Sequence, residues 1–79
     1  MLVTRLFDKI DMFIDHIDRG QALTIQYDNH DKDETTVREI MPIKLSDGHN
    51  ILAFDGLKKS YRKFSIEKID WVSDERVLH

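Results

Sequence analysis

The feature that most constrains this chain is a change of hydrophobic period at Gly20. Before it, over residues 2–17, Val3, Leu6, Phe7, Ile10, Phe13, Ile14 and Ile17 recur at steps of three and four, which puts them on one face of a helix. Asp8, Asp11, Asp15 and Asp18, with Arg5 and Lys9, take the opposite face, and Gly20 after Arg19 supplies the left-handed stop that ends a helix. The pattern predicts a helix over about residues 2–19, with Phe7 and Phe13 among its core residues. After Gly20 the period falls to two: Leu23, Ile25 and Tyr27 alternate with Thr24 and Gln26, as in a half-buried strand.

The remainder reads as hairpins. The polar run Asn29-His30-Asp31-Lys32-Asp33-Glu34 makes a tip, and a second strand over residues 35–45 puts Val37 and Met41 on one face, Arg38 and Ile40 on the other. Pro42 has no N–H to give a ladder, so that end is an edge, a bulge or a sharp bend. Ser46-Asp47-Gly48 and Asp55-Gly56 open turns around Ile51-Leu52-Ala53-Phe54, and the strand Tyr61-Arg62-Lys63-Phe64-Ser65-Ile66 follows. Ile69, Trp71 and Val72 suggest a short fifth strand after a tight turn at Glu67-Lys68, and residues 73–79 form a polar, frayed tail. Short strands have edges that must be managed, and closure manages them. The expected fold is therefore α+β: an N-terminal amphipathic helix followed by a five-stranded, strongly bent antiparallel SH3-like or Sm-like β-barrel over about residues 21–73. Helix and barrel form one domain spanning residues 1–79.

Composition removes several function classes. Seventy-nine residues with no cysteine and four scattered histidines, His16, His30, His49 and His79, have no covalent or metal staple and must rely on packing or self-association. No apolar stretch is long enough to span a bilayer, and an acidic helix face is repelled by anionic lipid, so no membrane role is expected. The start lacks a basic segment leading into an apolar one, which leaves the cytoplasm as the expected location. A formal charge of −3 argues against coating nucleic acid by bulk electrostatics. Catalysis has little support, since there is no glycine-rich phosphate loop, cysteine nucleophile or Ser-His-Asp arrangement. Asp28, Asp31, Asp33 and Glu34 lack the spacing and glycine of a calcium loop, and His30 with His49 lacks a third zinc ligand. Neither a metal nor a cofactor is expected.

Residues 21–69 carry an ordered set of features: the opening strand Ala22-Leu23-Thr24-Ile25-Gln26-Tyr27, the Arg-x-x-x-Pro of Arg38 and Pro42, the block Ile51-Leu52-Ala53-Phe54-Asp55, and Tyr61-Arg62-Lys63-Phe64-Ser65-Ile66-Glu67-Lys68-Ile69. In this order they resemble the WYL domain, a small Sm-like β-barrel of bacterial regulators and phage-defence proteins. The chain departs from that pattern where the eponymous Trp-Tyr-Leu should fall, reading Asn50-Ile51-Leu52. The resemblance implies a sensory or nucleic-acid-contacting module. The single predicted helix lacks the second helix and turn needed for major-groove reading by a helix-turn-helix, so a WYL-like protein of this form is expected to act as a stand-alone module.

Arg38 and Arg62 match the family's basic positions, and a guanidinium offers forked donors suited to phosphate or carboxylate. Alternation places Arg62 on the face of Phe64 and Ile66, emerging at the rim with its stem packed; a local ion pair with Asp or Glu competes with ligand binding there. Lys58, Lys59, Arg62, Lys63 and Lys68 make the dense basic run of the chain, with Tyr61 inside it as a stacking surface and Glu67 as a nearby acid. Lysines at hairpins also protect edges and aid solubility. Trp71, beside Ile69 and Val72, reads as core packing or a dimer contact. Two functions follow as expectations: a non-enzymatic regulatory or accessory module binding nucleic acid or an anionic ligand through a basic rim, or a protein-interaction or homo-oligomer module, of a size and acidic balance compatible with phage or plasmid origin, that binds no nucleic acid.

Overall fold

A computed structural model describes residues 1–29 and 34–75. The change of period at Gly20 is where the chain passes from helix to sheet. In order, the elements are β1 (Leu2–Val3), α1 (Leu6–Arg19), β2 (Leu23–Asn29), β3 (Glu34–Ser46), β4 (Asn50–Asp55), β5 (Ser60–Ser65), a 3-10 turn (Ile66–Lys68) and β6 (Ile69–Ser73). All strand pairs are antiparallel, and the sheet order is β1-β6-β2-β3-β4-β5. The expected five strands become six, and among the described residues the sheet is not closed into a barrel: β5 and β1 lie at opposite edges. The reason lies at the N-terminus. Leu2 and Val3, expected in the helix, pair with Ser73 and Val72 and cover the far side of β6. The helix consequently starts at Leu6, where Lys9 N–H donates to the Arg5 carbonyl at 2.9 Å, and packs against β3, β6 and the 3-10 turn.

Gly20 ends α1 at φ +64, a left-handed conformation that costs an L side chain but not glycine. Its neighbour Gln21 returns an N–H to the His16 carbonyl at 3.0 Å. The core joins Phe13 of the helix to Leu23, Ile25, Ile40, Ile51, Ala53, Phe64, Ile66, Ile69 and Val72 of the sheet and turn. Fully burying one such large side chain is worth about 1.5–3 kcal/mol.

The helix packs on a face rotated away from its apolar stripe. Lys9, Met12, Phe13 and His16 are its buried residues, whereas Phe7, expected in the core, is 78% exposed and Leu6 and Ile14 are exposed beside it. Lys9, expected on the solvent face, is buried as well. Its ammonium donates to the carbonyls of Ile69 (2.7 Å) and Ile66 (3.2 Å), oxygens that the 3-10 turn presents toward the helix. His16 Nδ1 lies 2.9 Å from the Met12 carbonyl. These bonds reward burying the polar residues, and Phe7 swings outward as a result. Desolvation lowers the Lys9 pKa from the ordinary lysine value.

Pro42 sits where β3 changes partners. β2 pairs with β3 as far as Ile40, and β4 pairs from Ile40 onward, so the missing N–H at Pro42 falls beyond the β2 ladder. A register shift between Pro42 and Lys44 marks a bulge there, with Ile43 exposed. The turn into β4 takes positive φ at Asp47 and Gly48, and Asn50 Nδ2 donates to the Asp47 carboxylate at 3.0 Å. Residues 30–33 and 76–79, with the sequence expectations of a polar hairpin tip and tail and those for His30, Asp31, Asp33 and His79, lie outside the described residues. No helix among the described residues is long and apolar enough to cross a membrane.

Candidate functional site

Alternation along β3, β4 and β5 divides the predicted site between the two faces of the sheet. Arg38, Asp55, Arg62 and Phe64 share the inner face with the core, because Ile40 pairs with Asp55, and Ala53 pairs with Arg62. Asp55 is completely buried. One of its oxygens accepts Arg38 Nη1 at 2.6 Å and has Arg62 Nη1 at 3.7 Å, while the other accepts the Leu57 N–H at 3.0 Å. Arg38 also donates from Nε to Thr36 Oγ1 at 3.0 Å. Both guanidiniums lie over the Phe64 ring, 5.7 and 5.8 Å from its centre, and Tyr27 meets that ring edge-on at 5.1 Å. Arg38 is thus held on every side and buried, while Arg62 keeps 40% of its side chain exposed. The inner cluster has two cations and one anion, with Arg62 as the part that reaches solvent.

The outer face carries the other basic and aromatic residues in rows. Met41, Phe54 and Tyr61 are directly opposite one another across β3, β4 and β5, and so are Lys44, Leu52 and Lys63. The two rows are two residues apart on β4, about 7 Å. Tyr61 is 69% exposed and stands edge-on to Phe54, with ring centres 5.2 Å apart and planes at 71°. Beyond Tyr61, in the turn between β4 and β5, are the exposed Lys58 and Lys59; Lys59 has φ +52. Lysines therefore stand on both flanks of an aromatic row. Glu39, exposed on the same face two residues before Met41, is the acid nearest this row on β3. Lys68 lies apart in the 3-10 turn, half-buried. Trp71 is half-buried opposite Gln26, whose Nε2 donates to Asp70 at 3.0 Å.

The structure thus brings together Lys58, Lys59, Tyr61 and Lys63 on or beside the outer face, separates them from Arg38 and Arg62, and leaves Lys68 with neither group. Sequence reasoning missed Asp55 as the common partner of the arginines, although the alternation Ile51, Ala53, Asp55 points it inward. It also missed Lys44 and Met41, whose places in the rows depend on the bulge after Pro42. Chemically, the inner cluster offers a single half-exposed guanidinium stacked on an aromatic ring. The outer face offers a stacking surface between cations.

No family model and no curated protein matches the chain. Among solved structures, the fold is similar to a segment of the proteasome accessory factor B/C (PafBC) of Arthrobacter aurescens, at a TM-score of 0.75 and 19% identity over 92% of this chain. The likeness spans 12% of that much longer chain, and it supports a WYL-like fold for the present one.

Proposed function

We propose that this chain is a small non-enzymatic WYL-like regulatory or accessory module that binds single-stranded nucleic acid on the outer face of β3, β4 and β5. The observation that carries the reading is the aromatic row of exposed Tyr61 and half-buried Phe54 between Lys44 and Lys63 on one side and Lys58 and Lys59 on the other. Bases stack on aromatic rings for about 1–3 kcal/mol each, and the lysines meet the phosphates on either side. The fold likeness to a segment of PafBC and the WYL resemblance support a regulatory rather than catalytic role. Arg62, facing the Asp55 carboxylate, supplies a further anion contact at the sheet's inner edge, whereas Arg38 is committed to Asp55. Fluorescence anisotropy with labelled single- and double-stranded oligonucleotides at low and moderate salt tests the proposal. Tyr61→Ala weakens single-strand binding by the stacking increment, and Arg62→Ala weakens it less without unfolding the protein. Equal binding by Tyr61→Ala and wild type rejects the outer face as the site.

A second reading rests on a separate observation, the exposed helix flank of Leu6, Phe7 and Ile14. Such a patch fits a protein-interaction or homo-oligomer module. Sedimentation showing a monomer at high concentration, together with no partner captured through the Phe7 flank, counts against it.

A further inference from the structure

The outer face also contains a cavity beside the aromatic row. It measures about 220 Å³ and is lined by Ala22, Glu39, Ile40, Met41, Phe54 and Gly56. Its shape depends on a close approach of two backbones: Gly56 N–H donates to the Glu39 carbonyl at 3.0 Å, and a Cβ at residue 56 would stand 3.1 Å from that same oxygen. Glu39 is the one lining residue with a polar side chain, which is exposed and has no hydrogen-bond or ion-pair partner among the described residues. An exposed carboxylate beside an apolar cavity is placed to accept a hydrogen bond from a ligand that enters it.

We infer that the cavity is a slot for one nucleobase, stacked against Phe54 and read by Glu39, and that it selects bases carrying an exocyclic amine over thymine or uracil. The inference rests on the nucleic-acid reading above and adds base selectivity to it. The cavity lies next to the row on which a strand would stack, with Lys58 and Lys59 following Gly56 and Leu57 to meet the adjoining phosphate. The amino groups of cytosine and adenine donate to a carboxylate. Thymine and uracil present a carbonyl oxygen at the corresponding position and repel it.

The test is anisotropy at fixed low salt with labelled oligo-dC, oligo-dA and oligo-dT, using wild type and Glu39→Gln. Wild type prefers dC and dA to dT by about tenfold, within the range of one well-placed base contact. In Glu39→Gln the preference collapses toward one, while dT binding strengthens because a repulsive charge has gone. Urea unfolding of Glu39→Gln is unchanged, which separates base reading from a structural role. Equal affinity of wild type for the three oligomers, with binding still lost in Tyr61→Ala, overturns the slot and leaves the outer-face proposal standing. No binding to any oligomer at low salt overturns both.

Discussion

Replacing Asp55 by alanine strips the buried counter-ion from two arginines at once. The Asp55 carboxylate is inaccessible to solvent, holds Arg38 at 2.6 Å, faces Arg62 at 3.7 Å and accepts the Leu57 N–H at 3.0 Å. Arg38, itself almost fully buried, would then have no anion. Breaking a buried pair from one side costs about 3–5 kcal/mol, because the remaining charge stays desolvated. A chain of 79 residues has roughly 4–12 kcal/mol of stability in all, so Asp55→Ala takes a large share of it or abolishes folding. The milder Asp55→Asn keeps an acceptor for Leu57 and is the variant to titrate. Arg62→Ala leaves the Arg38–Asp55 pair intact and removes a looser, solvent-screened contact, so its cost is about 1 kcal/mol or less. Arg38→Ala falls between the two, since Arg62 can close on the abandoned carboxylate. Urea unfolding followed by far-ultraviolet circular dichroism gives all four values. An Asp55→Asn variant within about 0.5 kcal/mol of wild type, or an Arg62→Ala variant as unstable as Arg38→Ala, refutes the assignment of Asp55 as the buried hub.

Three further outcomes are expected. Because burial lowers the Lys9 pKa in the folded protein, the unfolded chain binds more protons between that lowered value and the ordinary lysine value of 10.5. Stability therefore rises with pH in that alkaline window, and Lys9→Met removes this rise; an unchanged slope in the variant contradicts the assignment. Phe13→Ala costs about 3–5 kcal/mol in urea unfolding, whereas Phe7→Ser, at an exposed position, stays within about 0.5 kcal/mol. Gly20→Ala lowers stability by about 1 kcal/mol, because its φ of +64 strains an L residue although open space surrounds the site; thermal melts check it.

The hairpin strands were legible because alternation needs no partner to be recognised: Leu23 with Ile25, Ile51 with Ala53, and Phe64 all point into the core as the period of two requires. The same arithmetic separates Arg62 from Tyr61 and Lys63, so the division of the basic run between two faces was present in the pattern even though charge density grouped it together. The orientation of α1 was not. A hydrophobic stripe sets a helix's direction only when nothing on the sheet prefers another face, and here the carbonyls of Ile66 and Ile69 draw in Lys9. β1 was illegible for a different reason: Leu2 and Val3 fit a helical stripe as well as a strand, and the pairing with Val72 and Ser73 is long-range. The row of Lys44, Leu52 and Lys63 depends on the bulge after Pro42, whose effect on register appears only once β4 is in place.

The most direct test of the proposed function is the salt dependence of single-strand binding in wild type and in Lys58→Gln/Lys59→Gln. Four outer lysines, Lys44, Lys58, Lys59 and Lys63, together with Arg62 give a log–log slope of about −3.5 at roughly −0.7 per phosphate neutralised, and removing two lysines brings it to about −2. That reduction, with the fold unchanged by circular dichroism, is the predicted result. A wild-type slope near zero, or a slope that the double variant leaves unchanged, contradicts nucleic-acid binding by this face.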